Sequence, residues 1–93
     1  MSKLYKIVNI TDREGNIKQD FIDEIKLTHP NMSGEIINKE LLKAHICMDF
    51  MWNDNSGKML ETSSIEEYIE NDDKVKVVTR NSIYYLELEK EIN

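Results

Sequence analysis

The chain has 93 residues, 40% of them apolar and 32% charged, with a formal charge of −6 from 18 acidic and 12 basic side chains. That length leaves room for one domain, residues 1–93, and the composition is that of a folded globular chain. The acid excess, with a pI near 4.8, argues against direct binding to nucleic acid or docking on an anionic membrane, since both need clustered Lys and Arg. Cys47 is the only cysteine, so no internal disulfide can form, and a reducing cytoplasm is the expected compartment. No apolar run is long enough to span a bilayer, and the first residues show no signal-peptide pattern.

Taken in order, residues 3–10 read as a first strand, with Leu4, Val8 and Ile10 on one face and Tyr5 and Ile7 on the other. A turn over residues 11–16 follows, with Gly15 and Asn16 suited to positive φ. Residues 17–28 admit two readings. Ile17, Gln19, Phe21, Asp23, Ile25 and Leu27 alternate as a strand would, whereas Phe21, Ile22 and Ile25 form a helical stripe. The short link through Gly15 favours a β-hairpin. His29-Pro30-Asn31 breaks the chain, and Ser33 is then placed to cap a helix over residues 35–43, whose stripe is Ile37, Leu41 and Leu42 beside Ile36.

Residues 44–53 carry the strongest pattern. Ala44, Ile46, Met48, Phe50 and Trp52 fall on one face of a strand, and His45, Cys47, Asp49, Met51 and Asn53 on the other. Residues 53–57 are turn formers, and Lys58, Met59 and Leu60 begin a returning strand. Residues 64–69 fit either a helix capped by Ser64 and Glu67 or a strand. The strand is preferred because residues 74–79, a clear strand, follow the turn at residues 71–73 at once. Arg80-Asn81-Ser82 makes the last turn, and Tyr84, Leu86 and Leu88 share one face of the last strand, residues 83–89. The expected fold is α+β and mainly β: a strongly curved antiparallel sheet, or a small barrel, of hairpin-connected strands with one short helix.

Chemistry is sparse. His45, Cys47 and Asp49 share a strand face, with His29 as a conceivable fourth zinc ligand, but one cysteine makes no paired-ligand motif. Cys47 with His45 and Asp49 lacks any sign of an oxyanion hole, and no Gly-rich phosphate loop is present. A non-enzyme is expected, with no metal and no cofactor. Charge distribution says more. Residues 61–73 hold six carboxylates, Glu61, Glu66, Glu67, Glu70, Asp72 and Asp73, and no Lys or Arg. Glu87, Glu89 and Glu91 follow near the end, softened by Lys90. Should the two groups meet, Glu61, Glu66, Glu67, Glu70, Asp72, Asp73, Glu87 and Glu89 would form one negative surface for a basic partner.

The last third reads Thr62-Ser63-x-Ile65, a turn at Asn71-Asp72-Asp73, then Thr79-x-Asn81-Ser82-x-Tyr84. This resembles a C-terminal ending found in small proteins of phages and mobile elements. The resemblance implies a strand–turn–strand ending and a mobile-element origin, not an activity. With small size and acidity, it is similar in profile to anti-defence proteins of the anti-CRISPR class, and implies a stoichiometric inhibitor in the host cytoplasm. Its partner would be a basic nuclease or nucleoprotein such as a CRISPR–Cas effector. Two other readings compete: a small-ligand binder or sponge in which Tyr5, Trp52, Tyr68 or Tyr85 stacks on a nucleotide-like ligand, and an assembly accessory that homo-oligomerises through a sheet edge.

Overall fold

The computed structural model describes residues 2–44 and 46–92. Six strands follow in order: β1 (Ser2–Thr11), β2 (Ser33–Ile36), β3 (Cys47–Trp52), β4 (Met59–Asn71), β5 (Lys74–Thr79) and β6 (Ile83–Ile92). One α-helix, α1 (Gln19–Thr28), lies between β1 and β2, and a 3-10 helix over Lys39–Ala44 lies between β2 and β3. Each strand pairs antiparallel with its neighbours in sequence, and β6 returns to β1, so the sheet closes into a small barrel. A ring in which every neighbour is antiparallel requires an even strand number, and six meets it. No helix among the described residues is long and apolar enough to cross a membrane.

Alternation on β3 builds the centre of the core. Met48, Phe50 and Trp52 are buried, while Cys47, Asp49 and Met51 between them are half-exposed. Ile7, Ile10, Ile65, Val77, Tyr84 and Leu86 meet them from the other strands. On β6, Tyr84 and Leu86 are buried and Leu88 packs against the core, as their shared face requires. On β1 the faces differ from expectation. A register shift between Ile7 and Asn9 turns both Ile7 and Ile10 inward and leaves Val8 47% exposed.

Two segments adopt structures other than those expected. Residues 17–28 are not the second arm of a hairpin. The turn does form, with Asp12 accepting from the Glu14 and Asn16 N–H groups, both at 2.9 Å, and it yields one antiparallel bridge, Thr11↔Ile17. Then α1 begins and buries Ile22 and Ile25, with Phe21 packed alongside. The alternation would also have buried Ile17 and Leu27, which are 58% and 85% exposed. The helical stripe won because it alone places its apolar residues against the closed ring.

Ser33 starts a strand instead of capping a helix, and residues 35–43 divide between β2 and the 3-10 helix. Gly34 explains this. A Cβ on it would overlap the Met51 carbonyl oxygen and lie 2.6 Å from the Phe50 ring, so a bare Cα is what lets β2 sit against β3. Beyond β2, the Asn38 side chain continues the pairing by donating to the Cys47 carbonyl at 2.8 Å and accepting the Asp49 N–H at 2.9 Å. Leu42 from the 3-10 helix is buried in the core, whereas Ile37, from the same expected stripe, is 49% exposed.

The strand preferred for residues 64–69 forms, and it is continuous with the one starting near residue 58. Together they make β4, which pairs with β3 through its first half and β5 through its second. At the changeover the Met48 N–H bonds to the Thr62 hydroxyl, 2.9 Å, in place of a backbone partner. Ser63 Oγ accepts the Asn81 N–H at 3.2 Å, and Thr79 Oγ1 both accepts from the Ser82 N–H and donates to its carbonyl. Thr62, Ser63, Thr79, Asn81 and Ser82 thus bind the β4 changeover to the β5–β6 turn, with Tyr84 buried beneath. All of these contacts are architectural.

Candidate partner-binding surface

The acidic residues do not form one uniform face. β4 carries Glu61, Glu66, Glu67 and Glu70, and the β4–β5 turn carries Asp72 and Asp73. Glu66 pairs with Arg13, which also donates to the Thr79 carbonyl at 3.2 Å. Glu87 sits in register between Lys6 on β1 and Lys74 on β5, so its charge is flanked on both sides. Glu89 accepts from Ser33 Oγ at about 3 Å. Glu61 lies outside these groups, opposite Asp49. Glu67, Asp72 and Asp73 make no ion pair among the described residues.

Only the last part of the first acidic group meets the second, at one end of the barrel, while Glu66 and Glu67 lie toward the far end of β5. The Asp73 carbonyl accepts the Leu88 N–H at 2.6 Å, which docks the β4–β5 turn beside the last part of β6. Glu70 there bonds Lys39 at 3.0 Å, lies 4.0 Å from Lys3 and accepts from the Tyr68 hydroxyl at 3.2 Å. The Lys39 hydrogen bond holds the Glu70 carboxyl below its ordinary pKa. Burial first, then the Glu70 charge, pushes the Tyr68 phenol up. Tyr5 behaves likewise: burial raises its pKa, and the charges of Glu70, Asp73 and Glu91 add to the rise while Lys39 opposes it. Glu70 and Asp73 of the first group and Glu91 of the second therefore act on one phenol.

Tyr5 lines a groove of about 590 Å³ between the start of β1 and the β2–3-10 segment. Its walls also include Ser2, Lys3, Glu35, Ile36, Ile37, Lys39 and Glu40. Sequence reasoning missed Lys3, Lys39, Glu35 and Glu40 because nothing in the chain order links them. They converge only when β1 and β2 become neighbours.

Other candidates separate. Among the four aromatic residues, Trp52 is core, stacked under His29, and Tyr85 lies outside on β6 with Lys76 Nζ 5.9 Å from its ring centroid. Only Tyr5 and Tyr68 share an end of the barrel. Of the metal candidates, His45 lies outside the described residues, and His29 is engaged by Asp54 on another side. Among the described residues, Cys47 and Asp49 are joined instead by Glu61, with donor atoms all within 4.8 Å of one another. Burial, then Asp49 and Glu61, raises the Cys47 pKa, which keeps the thiol protonated and works against nucleophilic attack. Comparison with family models, with curated proteins and with solved structures found no match.

Proposed function

We propose that this protein acts by binding and not by catalysis, as a stoichiometric inhibitor of a basic host defence nuclease or nucleoprotein, in the manner of anti-CRISPR proteins. One observation carries the reading: the bond from the Leu88 N–H to the Asp73 carbonyl brings the end of the first acidic group, Asp72 and Asp73, beside Glu87 and Glu89 of the second. Carboxylates fixed along strands and turns present negative charge at set spacing, which favours a cationic protein surface and speeds encounter with it. The reading is narrower than the sequence alone suggested. Glu66 and Glu70 are engaged by Arg13 and Lys39, and Glu87 is flanked by lysines, so Glu67, Asp72, Asp73 and Glu89 carry the attraction.

A pull-down from host lysate with tagged protein, washed at low and high salt, tests this. A basic nuclease or nucleoprotein should be retained at low salt and lost as salt rises. Reversing Glu67, Asp72, Asp73 and Glu89 to Lys should abolish capture, while Glu66→Lys should weaken it little. Capture unchanged by the fourfold reversal would refute the proposed surface.

A further inference from the structure

β1 and β2 close the barrel through a very short ladder. Tyr5 faces Gly34 and Lys6 faces Ser33, and the Ile7 N–H bonds the Met32 carbonyl at 2.9 Å. Continued the other way, the same register sets Lys3 opposite Ile36. Among the described residues that rung is missing, and the two strands part company. β2 leaves with β3, through Glu35↔Met51, Ile36↔Phe50 and an Ile37 N–H bond to the Asp49 carbonyl at 3.0 Å. β1 stays with β6 as far as Ser2↔Ile92.

Residues two apart on a strand send their backbone groups to the same side. The Ile7 N–H faces β2, so the N–H and C=O of Lys3 do as well. The Ile37 N–H faces β3, so those of Ile36 face β1. Two sets of backbone donors and acceptors thus look into the 590 Å³ groove from opposite walls, without the rung that would join them. Unpaired strand edges are templates for a further strand. Charge selects which kind. Glu35 and Glu40 line the groove, and Glu70, Asp73 and Glu91 act on Tyr5 within it, five carboxylates against the two ammonium groups of Lys3 and Lys39. Ile36 and Ile37 supply apolar contact for alternate side chains.

We propose that this split between β1 and β2 is a strand-addition site that takes an extended, Lys- or Arg-bearing segment of the bound partner. This deepens the inhibitor reading above and rests on it for the partner's identity, though its test does not need the partner. The full-length protein is mixed with a short peptide of alternating Lys and Val, and amide exchange is followed residue by residue. In the free protein the Lys3 and Ile36 amides should exchange fast. The Lys–Val peptide should slow both by about tenfold or more, as a few added backbone hydrogen bonds would. A Glu–Val peptide should not slow them, nor should a Lys–Val peptide N-methylated on the pairing edge.

Equal binding of the N-methylated peptide would mean charge alone is at work and would overturn the strand-addition site. Unchanged exchange at Lys3 and Ile36, with lysate capture intact, would overturn the groove and leave the inhibitor reading standing. Amides already protected in concentrated free protein and released on dilution would show a second copy in the groove, which also overturns a partner-specific site.

Discussion

The imidazole of His29 lies flat on the indole of Trp52, with ring centroids 4.5 Å apart and planes 12° from parallel. Trp52 in turn meets Phe50 edge-on at 5.2 Å, so the stack runs from the surface into the core. His29 follows α1 directly and its N–H bonds the Ile25 carbonyl at 2.7 Å. Its Nδ1 is engaged by Asp54, from the turn after β3. One residue therefore ties the helix end through its backbone, and Trp52 and the β3–β4 turn through its side chain. His29→Ala should destabilise the fold by about 1–3 kcal/mol through lost stacking and a lost partner for Asp54. Urea unfolding would read this as a lower midpoint at unchanged slope.

Acid should expose the same latch from its other side. The hydrogen bond from His29, helped by Ser56, lowers the Asp54 carboxyl from 3.8 to about 2. A folded-state pKa below the unfolded one means that its contribution is complete above the unfolded value and is lost as pH falls through the folded one. Stability should accordingly fall between pH 3.8 and about 2 by more in the native protein than in Asp54→Asn. Parallel acid limbs in the two proteins would remove Asp54 from the account.

Gly34→Ala should be among the most damaging single changes in the chain. Its Cβ would meet the Met51 carbonyl and the Phe50 ring, and the first of these is backbone that cannot swing away. Forcing β2 off β3 at the short seam should cost about 3 kcal/mol or more. Circular dichroism through a thermal melt would show it, and a melting temperature near the native one would contradict the close approach.

Cys47 should react slowly with a neutral alkylating reagent at pH 7, since burial and two neighbouring carboxylates oppose its thiolate. Asp49→Asn and Glu61→Gln should each speed the reaction, and the double variant more. Rates unaffected by either change would show that the carboxylates do not govern the thiol.

Much of the fold was legible along the chain. β3 was readable because Met48, Phe50 and Trp52 alternate without a break, and the turns at residues 53–57, 71–73 and 80–82 because their residues favour reversal in any context. Val8 and Ile10 misled because a bulge changes parity without leaving a mark in composition. Residues 17–28 satisfied both periods, and only the position of the ring could choose between them. For the candidate surface, the acidic residues were visible one by one, but their cations were not: Arg13 reaches Glu66 and Lys39 reaches Glu70 across 53 and 31 residues of chain.

Local alternation and turn chemistry act over a few residues, so the sequence alone determined the β-rich class, the central strand and where the chain reverses. Closure of the ring, the helical state of α1, the strand state of Ser33–Ile36 and the groove between β1 and β2 were decided by the tertiary structure. Each depends on atoms far apart in the chain, such as Gly34 against Met51, and their energies exist only once the strands have met.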